Sequence, residues 1–162
     1  MRYGALAFGL LLLALAPAKA QQVTGIEIID PGIYSVHVTS SQPNANGIPA
    51  NTSDSEQLEF RATKVPMQKG VHFGFRYHLT GTPDGAVVPI RKVILFPPQG
   101  LTPPGKPTVR QIERTLDRKI GETSYTDYSL DDPFELVPGQ WTFQLWSGNR
   151  KLAEQSFTVV AR

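Results

Sequence analysis

The sequence predicts an all-β fold: an antiparallel immunoglobulin-like β-sandwich of about eight strands, preceded by a cleaved signal peptide. Three observations lead to this prediction. Most segments after the first 20 residues alternate apolar and polar side chains with a period of two, as half-buried strands do. Gly, Pro, Asn and Asp separate these segments at short intervals, which is typical of turns. No rhythm of strand, helix and strand occurs, so a parallel α/β sheet is not expected.

The predicted strands are clearest at segment 71–80, where five large apolar side chains share one face and the other face is more polar. These five are Val71, Phe73, Phe75, Tyr77 and Leu79. The other predicted strands are 23–29, 33–39, 57–63, 87–96, 125–130, 141–146 and 151–160. Because alternating side chains fill the space between two stacked sheets, we expect an interior with no hollow.

Two segments are less regular. Residues 39–56 contain three asparagines and two prolines and bury little, so they predict a mobile surface loop.

Segment 108–120 has two interpretations. Its apolar residues recur at helical spacing, and Thr108 with Gln111 would form a capping box. Because the other segments of the mature chain all predict strands, we favour extended structure for 108–120.

The first 20 residues have the pattern of a secretory signal peptide, with Arg2, an apolar run over 5–16 and a small-residue site at 18–20. The run is shorter than the roughly 20 residues that a transmembrane helix needs. We therefore expect cleavage after Ala20, a single domain over residues 21–162 and no stable membrane insertion. The absence of cysteine suits a bacterial periplasm or exterior, where this chain would fold without disulfides.

The charge of the mature chain is balanced. Removing the signal peptide takes away two of the 16 Lys and Arg residues and none of the 14 acids, which leaves 14 of each sign. A neutral chain has no global field that would draw it onto an anionic polymer. Nucleic acid is therefore not an expected partner.

Three segments carry a resemblance to a known family: GVHFGFRYHLTG, VILFPPQGL and PGQWTFQLWSGNRKLAEQSFTV. On these segments the chain resembles bacterial exported proteins that are grouped as a domain of unknown function. The resemblance covers roughly residue 22 to the C-terminus. It implies an immunoglobulin-like sandwich and export, and it brings no catalytic residues.

Residues 100–107, GLTPPGKP, match the GxxxxGK spacing of a phosphate-binding P-loop. A working P-loop needs consecutive amide N–H groups and a Ser or Thr that binds magnesium. Pro103 and Pro104 remove two of the amides, and Pro107 stands where the hydroxyl is needed. We therefore expect a proline-stiffened surface loop and no nucleotide or other cofactor.

The three histidines do not predict a metal site. His72 and His78 share one strand face but lie six residues apart, about 20 Å at the usual rise per residue, so one ion cannot bind both. His37 could approach one of them from a neighbouring strand, which gives two ligands at best. Exposed sheet histidines are the expected interpretation.

Three acids, Asp131, Asp132 and Glu135, lie close together in a predicted loop. They lack the DxDxDG pattern of a calcium loop, and the chain has neither a GxSxG motif nor a cysteine nucleophile. We expect turn acids and a protein that is not an enzyme. The alternative is a hydrolase whose acids or histidines converge from distant segments.

Arginines recur every fourth residue at Arg110, Arg114 and Arg118, so they share a face in a helix or in a strand. Such a stripe could contact anionic glycans or lipid headgroups. A solvated strand edge that blocks aggregation is the more common role of such charges.

Three aromatic residues are candidates for ligand contact. Trp141 shares its face with other apolar residues and should be core, whereas Trp146 points to the opposite face. Together with Tyr125 and Tyr128, Trp146 would form a concave aromatic site for a small ligand or carbohydrate.

These observations favour a non-catalytic, exported binding or scaffolding module of the bacterial envelope, with an envelope protein or glycan as partner. The 39–56 and 100–107 segments are the candidate contact loops. A small-ligand or carbohydrate-binding protein and a hydrolase with an unrecognised site are the alternatives.

Overall fold

The alternating segments form nine strands in a computed structural model, which describes residues 21–161. The strands are β1 Gln22–Pro43, β2 Pro49–Arg61, β3 Lys64–Pro66, β4 His72–Thr82, β5 Val87–Leu95, β6 Gln111–Lys119, β7 Thr123–Ser129, β8 Gly139–Ser147 and β9 Arg150–Val160. One short 3-10 turn, Pro133–Glu135, precedes β8. The all-β prediction is confirmed, with nine strands against the expected eight or so. The predicted signal peptide lies outside the described residues.

Two sheets make the sandwich. One has the strand order β2-β1-β4-β7, and the other has the order β3-β9-β8-β5-β6. Neighbouring strands are antiparallel except for the short β3, which runs parallel to β9. No helix among residues 21–161 has the length and apolar character needed to span a bilayer.

The core lies between the central strands of the two sheets. The apolar face predicted in β4 is buried there, and Phe73 is fully covered. Its ring meets Trp141 edge-on at 5.7 Å between centroids, and it lies 5.8 Å from Phe143 and 5.4 Å from Phe157. Edge-to-face contacts of this kind suit the aromatic quadrupole and fix the relative positions of β4, β8 and β9.

Residues 39–56 are not the predicted loop. The strands β1 and β2 continue through this segment as a hairpin, with Ser41 opposite Asn51 and Pro43 opposite Pro49, and only 44–48 form the turn. Backbone ladder hydrogen bonds order the segment although its side chains bury little. Ile48 at the turn is fully buried and ties the tip of the hairpin to the core.

Segment 108–120 is extended, as favoured from the sequence. Residues Gln111–Lys119 form β6, which pairs with β5 so that Ile112 lies opposite Ile94 and Leu116 lies opposite Ile90. The apolar residues with helical spacing all have even numbers from Ile112 onward, so a strand also places them on one face. Pairing with β5 decides between the two structures.

Candidate ligand cavity between the sheets

A cavity of about 320 Å³ opens between the edge strands β6 and β7, and the tip of the β1–β2 hairpin borders it. We call it the edge cavity; its lining includes Asn51, Lys92, Ile112, Arg114, Tyr128 and Ser129. The prediction of an interior with no hollow was therefore wrong at this place. Edge strands have a neighbour on one side only, so the two sheets can part here without breaking a ladder.

Lys92 reaches the edge cavity from the inward face of β5. Its even-numbered neighbours Val88, Ile90 and Ile94 are all buried in the core, and the alternation of the strand gives Lys92 the same direction. The Nζ of Lys92 donates a hydrogen bond to the backbone carbonyl of Asp127 at 3.0 Å. A lysine ammonium thus occupies a position that the pattern reserves for an apolar side chain.

The charge of Lys92 is not balanced by an ion pair within the described part of the chain. Burial lowers the pKa of Lys92; the carboxylate of Asp127 raises it, and the charges of Arg114 and Arg118 lower it, with a net pKa below the usual value. Among residues 21–161, no Asp or Glu forms an ion pair with Lys92 or with Arg114. The lining of the edge cavity also includes two acids, Glu113 and Asp127, which pair with Arg91 and His72 respectively.

The predicted arginine stripe divides into three environments. Arg118 donates from Nε to the hydroxyl of Tyr77 at 3.1 Å, and Arg110 donates to the carbonyl of Pro98. Arg114 is exposed, lines the edge cavity and has no hydrogen bond to any described residue. Only the middle arginine of the stripe is thus free to meet a ligand.

Asn51 contributes a polar group with unused capacity. Its amide Nδ2 donates to Ser129 Oγ and to Asp131 Oδ2, both at 2.9 Å, while Ser129 donates to the same Asp131 oxygen at 2.6 Å. The carboxylate only accepts, so the amide nitrogen must be the atom that faces it. This leaves Asn51 Oδ1 buried without a donor from residues 21–161.

The three aromatic candidates lie in three places and make no common site. Tyr128 is buried between the sheets and lines the edge cavity, and its hydroxyl donates to Glu135 at 2.5 Å. Tyr125 packs on Tyr34 on the outer face of its sheet, with 4.8 Å between centroids. Trp146 lies on the outer face of the other sheet, under the guanidinium of Arg91 at 5.1 Å.

The histidines also lie apart. His37 pairs with Asp54 at 2.8 Å in an exposed position, and His78 lies 3.5 Å from the hydroxyl of Thr123. His72 is largely buried and pairs with Asp127 at 3.0 Å. Burial lowers the pKa of His72, but the hydrogen bond and charge of Asp127 outweigh it and raise the pKa above the usual value. Within residues 21–161, no three acids or histidines converge as metal ligands.

Of the three loop acids, Glu135 holds the turn together through hydrogen bonds to the backbone of Asp131 and Asp132. Glu135 is buried and accepts hydrogen bonds from the Tyr128 hydroxyl and from the backbone N–H groups of Asp131 and Asp132, the last two at 2.8 Å. Burial raises the pKa of Glu135, and these hydrogen bonds oppose the rise. The carboxylate therefore closes the turn before β8.

Residues 100–107 form a pair of turns between β5 and β6. Leu101 is fully buried and bridges to Val109, and the Lys106 N–H donates to the carbonyl of Pro103 at 3.0 Å. A Cβ added at Gly47 would lie 3.1 Å from Pro103 Cβ, so the loop packs against the hairpin tip. The two candidate contact loops thus lie side by side.

One feature of the sequence indicates the cavity. A lysine stands at an inward position of the strand VVPIRKVIL, whose other inward residues are apolar. The contact between Asn51 and Ser129 could not be predicted from the sequence, because it depends on the length of the β1–β2 hairpin.

The fold and the cavity define an immunoglobulin-like β-sandwich with a charged opening between its edges. The chain belongs to the family described as a domain of unknown function (DUF3859), whose model matches residues 22–159. This confirms the resemblance seen in the sequence. No curated protein matches the chain.

One solved structure is similar over nearly its whole length. It is an immunoglobulin-like protein from Pseudomonas aeruginosa with 26% sequence identity and a TM-score of 0.56, and the match covers 83% of this chain and 97% of that one. The match supports the fold.

Two larger proteins align weakly. An alkylpurine DNA glycosylase from Pseudomonas fluorescens, bound to DNA with an abasic site analogue, has 10% identity and a TM-score of 0.37, with 81% of this chain and 30% of that one covered. A GH3 β-glucosidase from Bifidobacterium adolescentis has 13% identity and a TM-score of 0.31, with 78% and 17% covered. Neither likeness bears on function.

Proposed function

We propose that the mature chain is a non-catalytic binding module of the bacterial envelope and that it holds its ligand in the edge cavity. The observation that carries this proposal is the pair of cations, Lys92 and Arg114, that lines the cavity and forms no ion pair with an acid of residues 21–161. Withdrawing a charge from water costs free energy unless an opposite charge or strong hydrogen bonds compensate it, and this cost applies to the half-buried Lys92. A bound ligand would supply that compensation, and the exposed Arg114 is free to contact the same ligand.

Binding is a better match than catalysis for the groups at the cavity. A general base must be free to accept a proton from the substrate. The carboxylate of Asp127 is engaged by His72, and Glu113 is engaged by Arg91 at 3.2 Å. The hydroxyl of Tyr128 is engaged by Glu135. These groups support a site that holds a ligand and leaves it unchanged.

The envelope location is supported by the pattern of the first 20 residues, with their apolar run and small-residue cleavage site. Expression of the full chain in a bacterium, followed by fractionation, should place the protein in the periplasm or medium. Its N-terminus in mass spectrometry should be Gln21. An intact N-terminus on a cytoplasmic protein would contradict export.

The cavity itself is tested by amide NMR spectra of the mature chain, titrated with three monosaccharides of different charge: D-glucuronate, D-glucose and D-glucosamine. We expect at least one to shift the signals of residues around Lys92 and Ile112. Ala50→Trp places a large ring in the cavity and should abolish the shifts, whereas the matched variant Ala86→Trp lies elsewhere. No cavity shifts with any of the three at millimolar concentration would contradict the proposal.

A protein partner is a second candidate, and one observation favours it. The edge strand β2 carries Phe60, which is 53% exposed. Exposed edges with an apolar side chain can add a strand from another chain. Crosslinking in cells from position 60, compared with crosslinking from the β4–β5 turn at Asp84, would reveal such a partner as a product specific to β2.

A further inference from the structure

We propose that Gln21 is a modification site: once export has removed residues 1–20, its amine closes onto its own side chain and gives the mature chain an N-terminal pyroglutamate. This inference rests on the envelope location in the proposed function and goes beyond it, because it concerns the chemistry of the new terminus. Three observations carry it: the residue type at position 21, its place outside the sheet, and a cation beside the start of β1 that has no acidic partner in the described chain.

The reaction needs a glutamine whose amine is free. Cleavage after Ala20 makes Gln21 the first residue of the chain, followed by Gln22. The neutral α-amine of Gln21 attacks the Cδ carbon of its own side-chain amide, the Cδ–Nε2 bond breaks, and ammonia leaves with one proton from the attacking nitrogen. The product is a five-membered lactam, and no oxidant or other reactant is needed. Gln22 cannot react in this way, because its nitrogen belongs to a peptide bond whose lone pair is delocalised.

The structure leaves Gln21 free to close the ring. The strand β1 begins at Gln22, which lies opposite Thr82, and Val23 lies opposite Gly81. Gln21 precedes this pairing and is exposed, and its side chain makes no hydrogen bond with another residue of 21–161. Ring closure therefore breaks no ladder hydrogen bond of the sheet, and both reacting groups are open to water and to an enzyme of the envelope.

The charge next to the start of β1 favours a neutral terminus. The guanidinium of Arg150 donates hydrogen bonds to the backbone carbonyls of Val23 and Thr24, and it forms no ion pair with an acid among residues 21–161. The Gln21 amine lies two residues before Val23, so at most about 10 Å separates it from that carbonyl. A cation at this range weakly destabilises an ammonium and so increases the share of neutral amine, which is the nucleophile. The lactam then removes the charge of the terminus.

Mass spectrometry of the exported protein tests the proposal. The full chain is expressed in a bacterium, recovered from the periplasm or medium, and cleaved after glutamate, which releases the N-terminal peptide 21–27, QQVTGIE. We expect this peptide to be lighter than its linear form by about 17 Da, the mass of one ammonia, with the loss localised to Gln21 in the fragment spectrum. A synthetic linear peptide of the same sequence, carried through the same workup, should stay linear and so exclude closure during handling.

Two variants form a matched pair at exposed neighbouring positions. Gln21→Ser removes the reacting amide and should leave a free N-terminal amine, whereas Gln22→Ser keeps Gln21 and should be blocked like the wild type. An aminopeptidase that requires a free amine should shorten Gln21→Ser and leave the masses of Gln22→Ser and the wild type unchanged. Equal trimming of the wild type and Gln21→Ser would overturn the proposal.

The outcomes separate this inference from the proposed function. If the exported chain begins at Gln21 with an open amine, the modification fails and the envelope location stands. If the exported chain begins at Gln22 or later, the assignment to Gln21 fails and the envelope location again stands. If residues 1–20 are retained on a cytoplasmic protein, the envelope location fails and takes the modification with it. Ligand binding in the edge cavity is independent of all three results.

Discussion

The centre of the sandwich and its edge cavity differ in how the space between the sheets is filled. At the centre, Phe73 and Trp141 are fully buried and meet edge-on, and each central strand has neighbours on both sides. At the edge, Lys92 and Arg114 point toward a space of about 320 Å³. Rigid rings fill the first region, whereas flexible cations border the second. The difference indicates that the centre specifies the fold and that the edge is available for a ligand.

The largest expected effect concerns the centre. Phe73→Ala should lower the free energy of unfolding by about 3–5 kcal/mol, because it removes a fully buried ring and leaves a cavity. Urea denaturation measures the change. Phe60→Ala, at a side chain that is 53% exposed, is the control and should cost less than about 1 kcal/mol. Similar losses for the two variants would erase the distinction between core and surface.

The turn before β8 should give the next largest effect. Glu135→Ala leaves the Tyr128 hydroxyl and the N–H groups of Asp131 and Asp132 without their buried acceptor. We expect a loss of about 2–3 kcal/mol in unfolding free energy. Glu135→Gln keeps one acceptor oxygen and should lose less. A loss under about 0.5 kcal/mol for the alanine variant would show that the turn holds without the carboxylate.

The edge cavity should respond in the opposite direction. Lys92→Met replaces a half-buried charge by an apolar side chain of similar length, so the mature protein should gain about 1 kcal/mol in the absence of ligand. Leu95→Met, on the same strand, controls for the introduced thioether. A substantial loss of stability would mean that the Nζ bond to the Asp127 carbonyl outweighs the cost of burial.

The smallest effect is pH-dependent and involves His72. Its pKa is raised in the folded state, so its contribution to stability is complete below the unfolded pKa near 6.5 and disappears as pH rises through the folded pKa. His72→Gln should therefore cost about 0.5–1 kcal/mol more at pH 5.5 than at pH 8.5. His37→Gln, whose ring is largely exposed, is the comparison. An equal cost of His72→Gln at both pH values would contradict a charged pair with Asp127.

The sequence predicted the centre better than the edge. The core face of β4 follows directly from its alternation, which is a local property, and the structure buries Phe73, Phe75 and Tyr77 as expected. The hairpin over 39–56 was missed because ladder hydrogen bonds stabilise it, and composition reports only side chains. The sequence predicts two strands, 23–29 and 33–39, with a turn at Pro31 and Gly32 between them, whereas β1 is continuous. Asp30 has a positive φ of 53° at an irregularity in this strand.

The edge cavity was beyond prediction for a different reason. The contact of Asn51 with Ser129 and Asp131 joins residues 78 and 80 positions apart, and it depends on where the hairpin tip lies. The stripe of arginines was visible, but its division among Tyr77, the cavity and a loop carbonyl depends on the twist of the edge strand. Only Lys92 could be recognised from the sequence, because it is a charged residue on the strand face whose other residues are apolar.

In the proposed function, Lys92 and Arg114 bind the ligand of the edge cavity. The dissociation constant of D-glucuronate for the wild-type mature chain and for Lys92→Met, measured at the same ionic strength, tests this claim. We predict that the variant binds at least about tenfold more weakly while its unfolding remains cooperative. Equal affinity of the two proteins, or no measurable binding to either, would contradict the claim.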